Sequence, residues 1–188
     1  DVISTVITKN GIYTADLVIS GADYAHTEKL LNPNVKNYSD EYWQKKVFFF
    51  FSFLYYVAFD QKVEKLLHHN LFFDTDFEQH AVEIYDEPQL PKNPLFYANF
   101  SSITDPDLAP EGKEVGFFLI PVAVDLEDNQ NVHDRYFELI MDRIQKNTDV
   151  DLRKHVLFKK SFGVKDFKER YHSCRGNAYG LANTLLQT

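Results

Sequence analysis

Two stretches of the chain are apolar at almost every position: "VFFFFSFLYYVAF", residues 47–59, and "VGFFLIPVAV", residues 115–124. Their aromatic and β-branched residues suit a pleated strand better than a helix. A strand apolar at successive positions is buried on both faces. One face then meets the protein core, and the other meets a packed helix or an apolar ligand. Neither run reaches the roughly 20 residues of a membrane-spanning helix. The first is bounded by Lys45, Lys46 and Asp60, is interrupted by Ser52, and lies too far inside the chain for a signal peptide.

The remaining pattern supplies shorter elements. Apolar residues at Val2, Val6 and Ile12 around Asn10-Gly11 predict a hairpin turning on that pair, because both residues tolerate positive φ. Leu17 to Ile19 reads as a short strand. "YAHTEKLLN" reads as a helix with Leu30 and Leu31 inward and Pro33 beyond its end. Ser39 is a candidate N-cap for "SDEYWQKK". "HHNLFF" and "LFYANFSSI" read as strands, "DFEQHAVEIYD" as a helix, and "TDPDLAPEGKE" as a double turn broken by Pro106 and Pro110. The clearest helix is "NVHDRYFELIMDRIQKN", with Val132, Tyr136, Leu139, Ile140 and Ile144 on one face. A shorter helix is expected from Asp149 or Asp151. "VLFKKSFGVKDFKERY" then gives a strand and a helix-prone stretch, and "TLLQ" a closing helical turn. Strands and helices without regular alternation predict an α+β fold, a mixed or antiparallel sheet flanked by helices.

Composition narrows the chemistry. At 188 residues the chain is long enough for about one domain with a substantial core. The net charge of −8 argues against a nucleic-acid partner and against purely electrostatic docking to anionic lipid. Cys174 is the only cysteine, which excludes a disulfide scaffold and a cysteine-based zinc site and suits a reducing compartment. There is no GxGxxG, P-loop or GxSxG segment. Adjacent strand residues point to opposite faces, so His68 and His69 do not easily chelate one ion, and no metal site is expected. Cys174 with His172, and Asp105 with Asp107, are weaker candidates than their structural roles. The bland reading of the phenylalanine-rich run is a core strand; the functional one is the wall of a pocket for a long apolar molecule.

Four segments in order carry a resemblance: "ADLVISGADYAHTEKLL", "SFLYYVAFDQKV", "SSITDPDLAPEGKEVGFFLIPVA" and "FKERYHSCRGNAYGLANTLLQT". Together they resemble the bacterial phytoene desaturase family, the FAD-dependent carotenoid desaturases. "VFFFF" is richer in phenylalanine than the family pattern, and Val124 stands where a proline is expected. The resemblance implies the substrate-binding part of a larger amine-oxidase-like FAD oxidoreductase. Residues 1–32 would be a late segment of the FAD-binding domain and 33–188 the substrate-binding domain, with the main flavin-binding motifs outside the chain. It further implies a long apolar polyene as substrate, hydride transfer to flavin, and a cytoplasmic enzyme held peripherally at the inner membrane. Ala22 and Asp23 match the family turn near the cofactor, with helix capping as the alternative role of Asp23. Either Phe49, Phe51, Phe53 and Tyr55, or Phe48, Phe50, Leu54 and Tyr56 across an irregularity at Ser52, would share the substrate face. The substrate-binding candidates are the first set together with Gly176 and Tyr179. No residue presents itself as acid or base. A hydroxycarotenoid 3,4-desaturase or a carotene isomerase remains open within the family, and a non-catalytic carrier of apolar ligands outside it.

Overall fold

The structure, a computed structural model, describes residues 4–185 and 187. Each of the first four α-helices begins where a short polar side chain accepts a hydrogen bond from the freed backbone N–H groups of the first turn. Asp23 caps α1 (Tyr24–Leu30), Ser39 caps α2 (Asp40–Lys45), Asp76 caps α3 (Phe77–Tyr85) and Asn129 caps α4 (Gln130–Thr148). The fifth, α5 (Val164–Tyr171), follows Gly163, whose N–H donates to Asp166.

A small hairpin pairs β1 (Thr5–Thr8) with β2 (Gly11–Thr14). Its turn is Lys9-Asn10 rather than Asn10-Gly11. Gly11 is the first paired residue, at φ +151°, a conformation closed to residues with a Cβ. Val2 lies outside the described residues. Leu17 to Ile19 forms no strand and is exposed, having no strand beside it to pair with among the described residues.

The main sheet has β3 (Phe51–Phe59), β4 (His69–Phe72), β5 (Phe96–Asn99), β6 (Glu114–Val122) and β7 (Val156–Phe162) in the order β4-β5-β6-β3-β7. All four pairings are antiparallel, which resolves the mixed-or-antiparallel alternative. The two apolar runs lie side by side at its centre. The β3–β6 register runs unbroken through Ser52, and the irregularity instead falls between Ala58 and Phe59 against β7. Val47 to Phe50 precedes the strand and pairs with the end of the chain, through a Phe48–Leu181 bridge and a 3.0 Å bond from Phe49 N–H to the Gly180 carbonyl.

α4 lies across one face of the sheet. Its buried side chains are His133, Tyr136, Phe137, Ile140, Met141, Ile144 and Thr148, so the contact stripe is centred one position away from Val132 and Leu139, which sit at its flank. In α1 the inward residues are Ala25 and Glu28, and Leu30 is 71% exposed. The Glu28 carboxylate accepts from the N–H groups of Asn37 and Tyr38, so a polar anchor occupies the place expected for leucine. A short 3-10 turn, Leu152–His155, capped by Asp151, stands where a helix was expected. The "TLLQ" turn includes Leu186, outside the described residues.

His80 of α3 joins this helix to the sheet. Nε2–H donates to the Pro121 carbonyl at 3.0 Å, and Nδ1 accepts from Leu95 N–H at 3.1 Å. The pair of bonds requires the neutral ring, and burial lowers the imidazole pKa below its ordinary value. The unfolded chain therefore binds the extra proton more readily. The contribution of His80 is complete above the unfolded value of about 6.5 and is lost as pH falls through the lower folded value. Denaturation midpoints measured between about pH 7.5 and 5 should fall toward acid, and His80→Gln should flatten that slope; an unchanged slope would remove His80 from the account.

Candidate functional site

Side-chain alternation gives β3 two unlike faces. Phe51, Phe53 and Tyr55 lie on the face covered by α4 and are fully buried. Phe53 packs against the rings of His133 and Tyr136, with centroids 4.9 and 5.4 Å away, and Phe51 against Phe167 at 5.0 Å. The Tyr55 hydroxyl donates to the His133 carbonyl at 2.8 Å, and burial pushes its pKa far above the ordinary value. This corrects the expected ligand wall: these three candidates are sealed against protein. Val122, Ile120 and Phe118 of β6 share their side, so two neighbouring strands present one apolar surface to the amphipathic helix.

The opposite face carries Leu54 and Tyr56 of the second set; Phe48 and Phe50 precede the strand, Phe48 buried beside Ala25 and Trp43. Leu71, Tyr97, Leu119, Leu54 and Phe162 stand opposite one another across all five strands. The next row is His69, Asn99, Phe117, Tyr56 and Lys160. Aromatic rings connect the rows obliquely: Tyr97 to Phe117 at 6.3 Å, Phe117 to Tyr56 at 5.1 Å, and Tyr56 to Phe162 at 5.6 Å. Tyr56 is 46% exposed, Leu71 65% and Phe158 58%, so the face presents much apolar surface that protein does not cover. A groove of about 320 Å³ runs over it, lined by Tyr56, Ala58, Val115, Phe117 and Phe158 together with Asn99 and Ser101. At the β7 edge the Arg170 guanidinium lies 5.1 Å from the Phe162 ring centre.

Ala22, Asp23 and Tyr179 gather at a second place, a hollow of about 700 Å³ between residues 21–26 and 167–180. Asp23 holds its walls together. One carboxylate oxygen caps α1 through His26 N–H, and the other accepts from Cys174 N–H at 3.2 Å and from the Asn177 side chain at 3.1 Å. Gly176 does not line the hollow; it has φ +73°, and a Cβ there would come within 2.6 Å of Val164 Cγ1, so its role is close packing. Phe49, half-buried and outside β3, has its ring 6.4 Å from that of Tyr179. Phe50, absent from the candidate set, lies closer at 5.2 Å.

The weaker candidates take structural places. His172 stacks on His26 at 4.4 Å instead of activating Cys174, whose thiol burial pushes up in pKa. Asp105 accepts from Asp107 N–H within the turn. His68 precedes the first residue of β4, so strand alternation does not separate it from His69, and the two rings stack at 4.1 Å. Tyr97, Asn99, Phe117, Leu119 and Phe162 went unnoticed in the sequence. The signal for the first four is the alternation within "LFYANF" and "VGFFLIPVAV", and for Phe162 that within "VLFKKSF"; none of it has a direction until the covered face is known.

No family model matches the chain. It is 41% identical over 174 residues to a carotenoid 3,4-desaturase of Haloarcula japonica, covering 92% of this chain and 35% of that protein. A zeta-carotene-forming phytoene desaturase of Myxococcus xanthus is 29% identical over 94% of this chain and 34% of its own length. A phytoene desaturase of Fusarium fujikuroi is 33% identical over 68% of this chain and 22% of its own length. The chain thus spans about a third of the length of the first two relatives. An α+β chain with an antiparallel sheet and these relatives along most of its length belongs to the phytoene desaturase family of carotenoid desaturases.

Proposed function

We propose that this chain is the substrate-binding part of a longer FAD-dependent carotenoid desaturase, and that the uncovered aromatic face of its sheet is the wall along which the polyene lies. The observation carrying this reading is the ring path from Tyr97 through Phe117 and Tyr56 to Phe162 beside an apolar groove. Aromatic rings offer large contact area without a hydrogen-bond demand, so a hydrocarbon leaves lipid for this surface at little cost. The relatives' names fit such a substrate: two are phytoene desaturases and one a carotenoid 3,4-desaturase.

The hollow around Ala22 is our candidate for the flavin side, with residues 1–32 belonging to the cofactor domain and 33–188 to the substrate domain. The residues suit one edge of a cofactor. Gly21, Ala22, Ala178 and Gly180 keep the backbone approachable, and Tyr179 stands at the rim toward Phe49 and Phe50. Asp23 already accepts from three protein donors, so its part is to fix the hollow's walls. The oxidation itself is flavin chemistry, removal of a hydride with loss of a neighbouring proton. What this chain contributes is position and exclusion of water; no side chain is assigned as acid or base. No helix among the described residues is long and apolar enough to cross a membrane, and contact with the inner membrane is proposed as peripheral.

The test is expression of the full-length protein in bacteria accumulating phytoene, an acyclic carotene or an acyclic hydroxycarotene, followed by separation of the extracted pigments with their absorbance spectra. We expect longer conjugation in at least one strain, and its loss in Phe117→Asp. Unchanged pigments in all three strains beside soluble, flavin-bound protein would overturn the desaturase reading. Unchanged pigments with a protein that binds polyene but no flavin would replace it with the carrier.

A further inference from the structure

The groove on the uncovered face differs from the other hollows in its chemistry. Its wall holds no charged side chain, whereas each of four larger hollows among the described residues includes lysine, arginine or carboxylate groups. In a chain of net charge −8, such a lining fits an uncharged, apolar guest. The shape of the groove follows from one row of the sheet. Val115, Ala58 and Phe158 stand opposite one another on β6, β3 and β7. On this face β3 presents Leu54, Tyr56 and then Ala58, so the floor drops where tyrosine gives way to alanine. The rings of Tyr56 and Phe117, 5.1 Å apart, form the long wall, and Phe158 stands at the β7 end. The β3–β7 register slips at this point, with Phe59 facing Val156 and Leu157 passed over. An irregularity of this kind bends the strand and re-aims the side chains beside it. Ala58 is thus the last small side chain before a ring.

Position adds a length scale. Phe50, whose ring meets Tyr179 at the hollow proposed above for the flavin, precedes Ala58 by eight residues, about 26 Å of extended chain and the scale of a long polyene. Tyr56 and Phe117 belong both to the ring path and to the groove, so the apolar surface is continuous between them. The groove itself runs across strands that lie about 4.8 Å apart, close to the length of one isoprenoid repeat in an extended polyene. Covering Ala58 would therefore shorten it by about one repeat.

We infer that Ala58 is a specificity-determining residue for chain length. The groove seats the end of the polyene remote from the flavin, Ala58 leaves room there for the terminal isoprenoid repeat, and Phe158 stops it. This rests on the desaturase reading above and adds to it which length of chain is turned over. Ala58 acts by fit alone and takes no part in the oxidation.

The test uses the full-length, flavin-bound protein and two acyclic polyenes of the same conjugation, the longer having one more isoprenoid repeat at each end. Both kcat/KM and the dissociation constant, read from the absorbance shift of the polyene on binding, are measured for each. Ala58→Phe should lower affinity and kcat/KM for the longer polyene at least about tenfold more than for the shorter, since even one displaced methylene costs about that much in an apolar pocket. Ala58→Leu should give a smaller shift in the same sense, and the denaturation midpoint of each variant reports whether it folds. Equal effects on the two polyenes in the folded variants would overturn the inference and leave the desaturase reading standing; that is also the result if another part of the full-length chain lies in the groove. Should the native protein convert neither polyene, the desaturase reading falls, and the dissociation constants still decide the chain-length site.

Discussion

Truncating Phe53 to alanine should destabilise the chain by about 3–5 kcal/mol, the usual cost of removing a large buried aromatic, read as a shift of the denaturant midpoint. Phe53 is wholly enclosed, with His133 and Tyr136 of α4 above it and Phe51 beside it, so the cavity left behind has little room to collapse. Its neighbour Leu54 points to the other face and is half-buried. Leu54→Ala should cost roughly 1 kcal/mol or less in stability, since less surface is already withdrawn from water, and its effect should fall on polyene affinity instead. Together the two variants test which face is structural. If Leu54→Ala unfolded the protein as readily as Phe53→Ala, the second face would be core and the proposed polyene wall would fall.

Gly163→Ala should be about as damaging, at roughly 3–5 kcal/mol, for an electrostatic reason. Gly163 has φ −120°, so backbone strain is not involved. Its missing Cβ leaves the space occupied by a buried pair. His133 Nε2 lies 2.8 Å from Asp128 Oδ2, and the same oxygen accepts from Val164 N–H at 3.0 Å. A Cβ on residue 163 would overlap that oxygen and come within 2.6 Å of His133 Nε2. Burial alone would raise the Asp128 carboxyl, yet the bonds from His133 and the α5 backbone hold it below the ordinary carboxylate range. Displacing it leaves a buried charge without its partners and loosens the start of α5 from α4. An alanine variant with an unchanged denaturation midpoint would show that the pair can relax, and that α5 is held by other contacts.

Local chemistry was legible wherever a residue acts on its near neighbours. Ser39, Asp23 in its capping role and the "TDPDLAPEG" turn behave as their side chains require, because a cap or a turn is satisfied within a few residues. The strand pattern was equally legible, and the four segments pointed to the family. Which face of β3 meets protein was not. Both alternate sets are apolar, and their difference lies in what packs against them: α4 begins some 70 residues later, at Gln130. Leu17 to Ile19 misled for a related reason, since a strand is defined by a partner and short apolar runs say nothing of who that partner is. Leu30 gave way to Glu28 because three hydrogen-bonding groups of residues 37 and 38 converge on that carboxylate.

By itself, then, the sequence determined the longer elements, the α+β class, the aromatic surplus and the family, all of which follow from short-range periodicity and from ordered segments. The tertiary structure decided three further matters. It assigned Phe51, Phe53 and Tyr55 to the core, it left the ring path from Tyr97 to Phe162 uncovered, and it gave Asp23 a second duty at Cys174 and Asn177, some 150 residues away. The physical reason is common to all three. Alternation along a strand fixes which side chains share a side, but only contacts between segments remote in sequence choose which side is buried and which stays exposed.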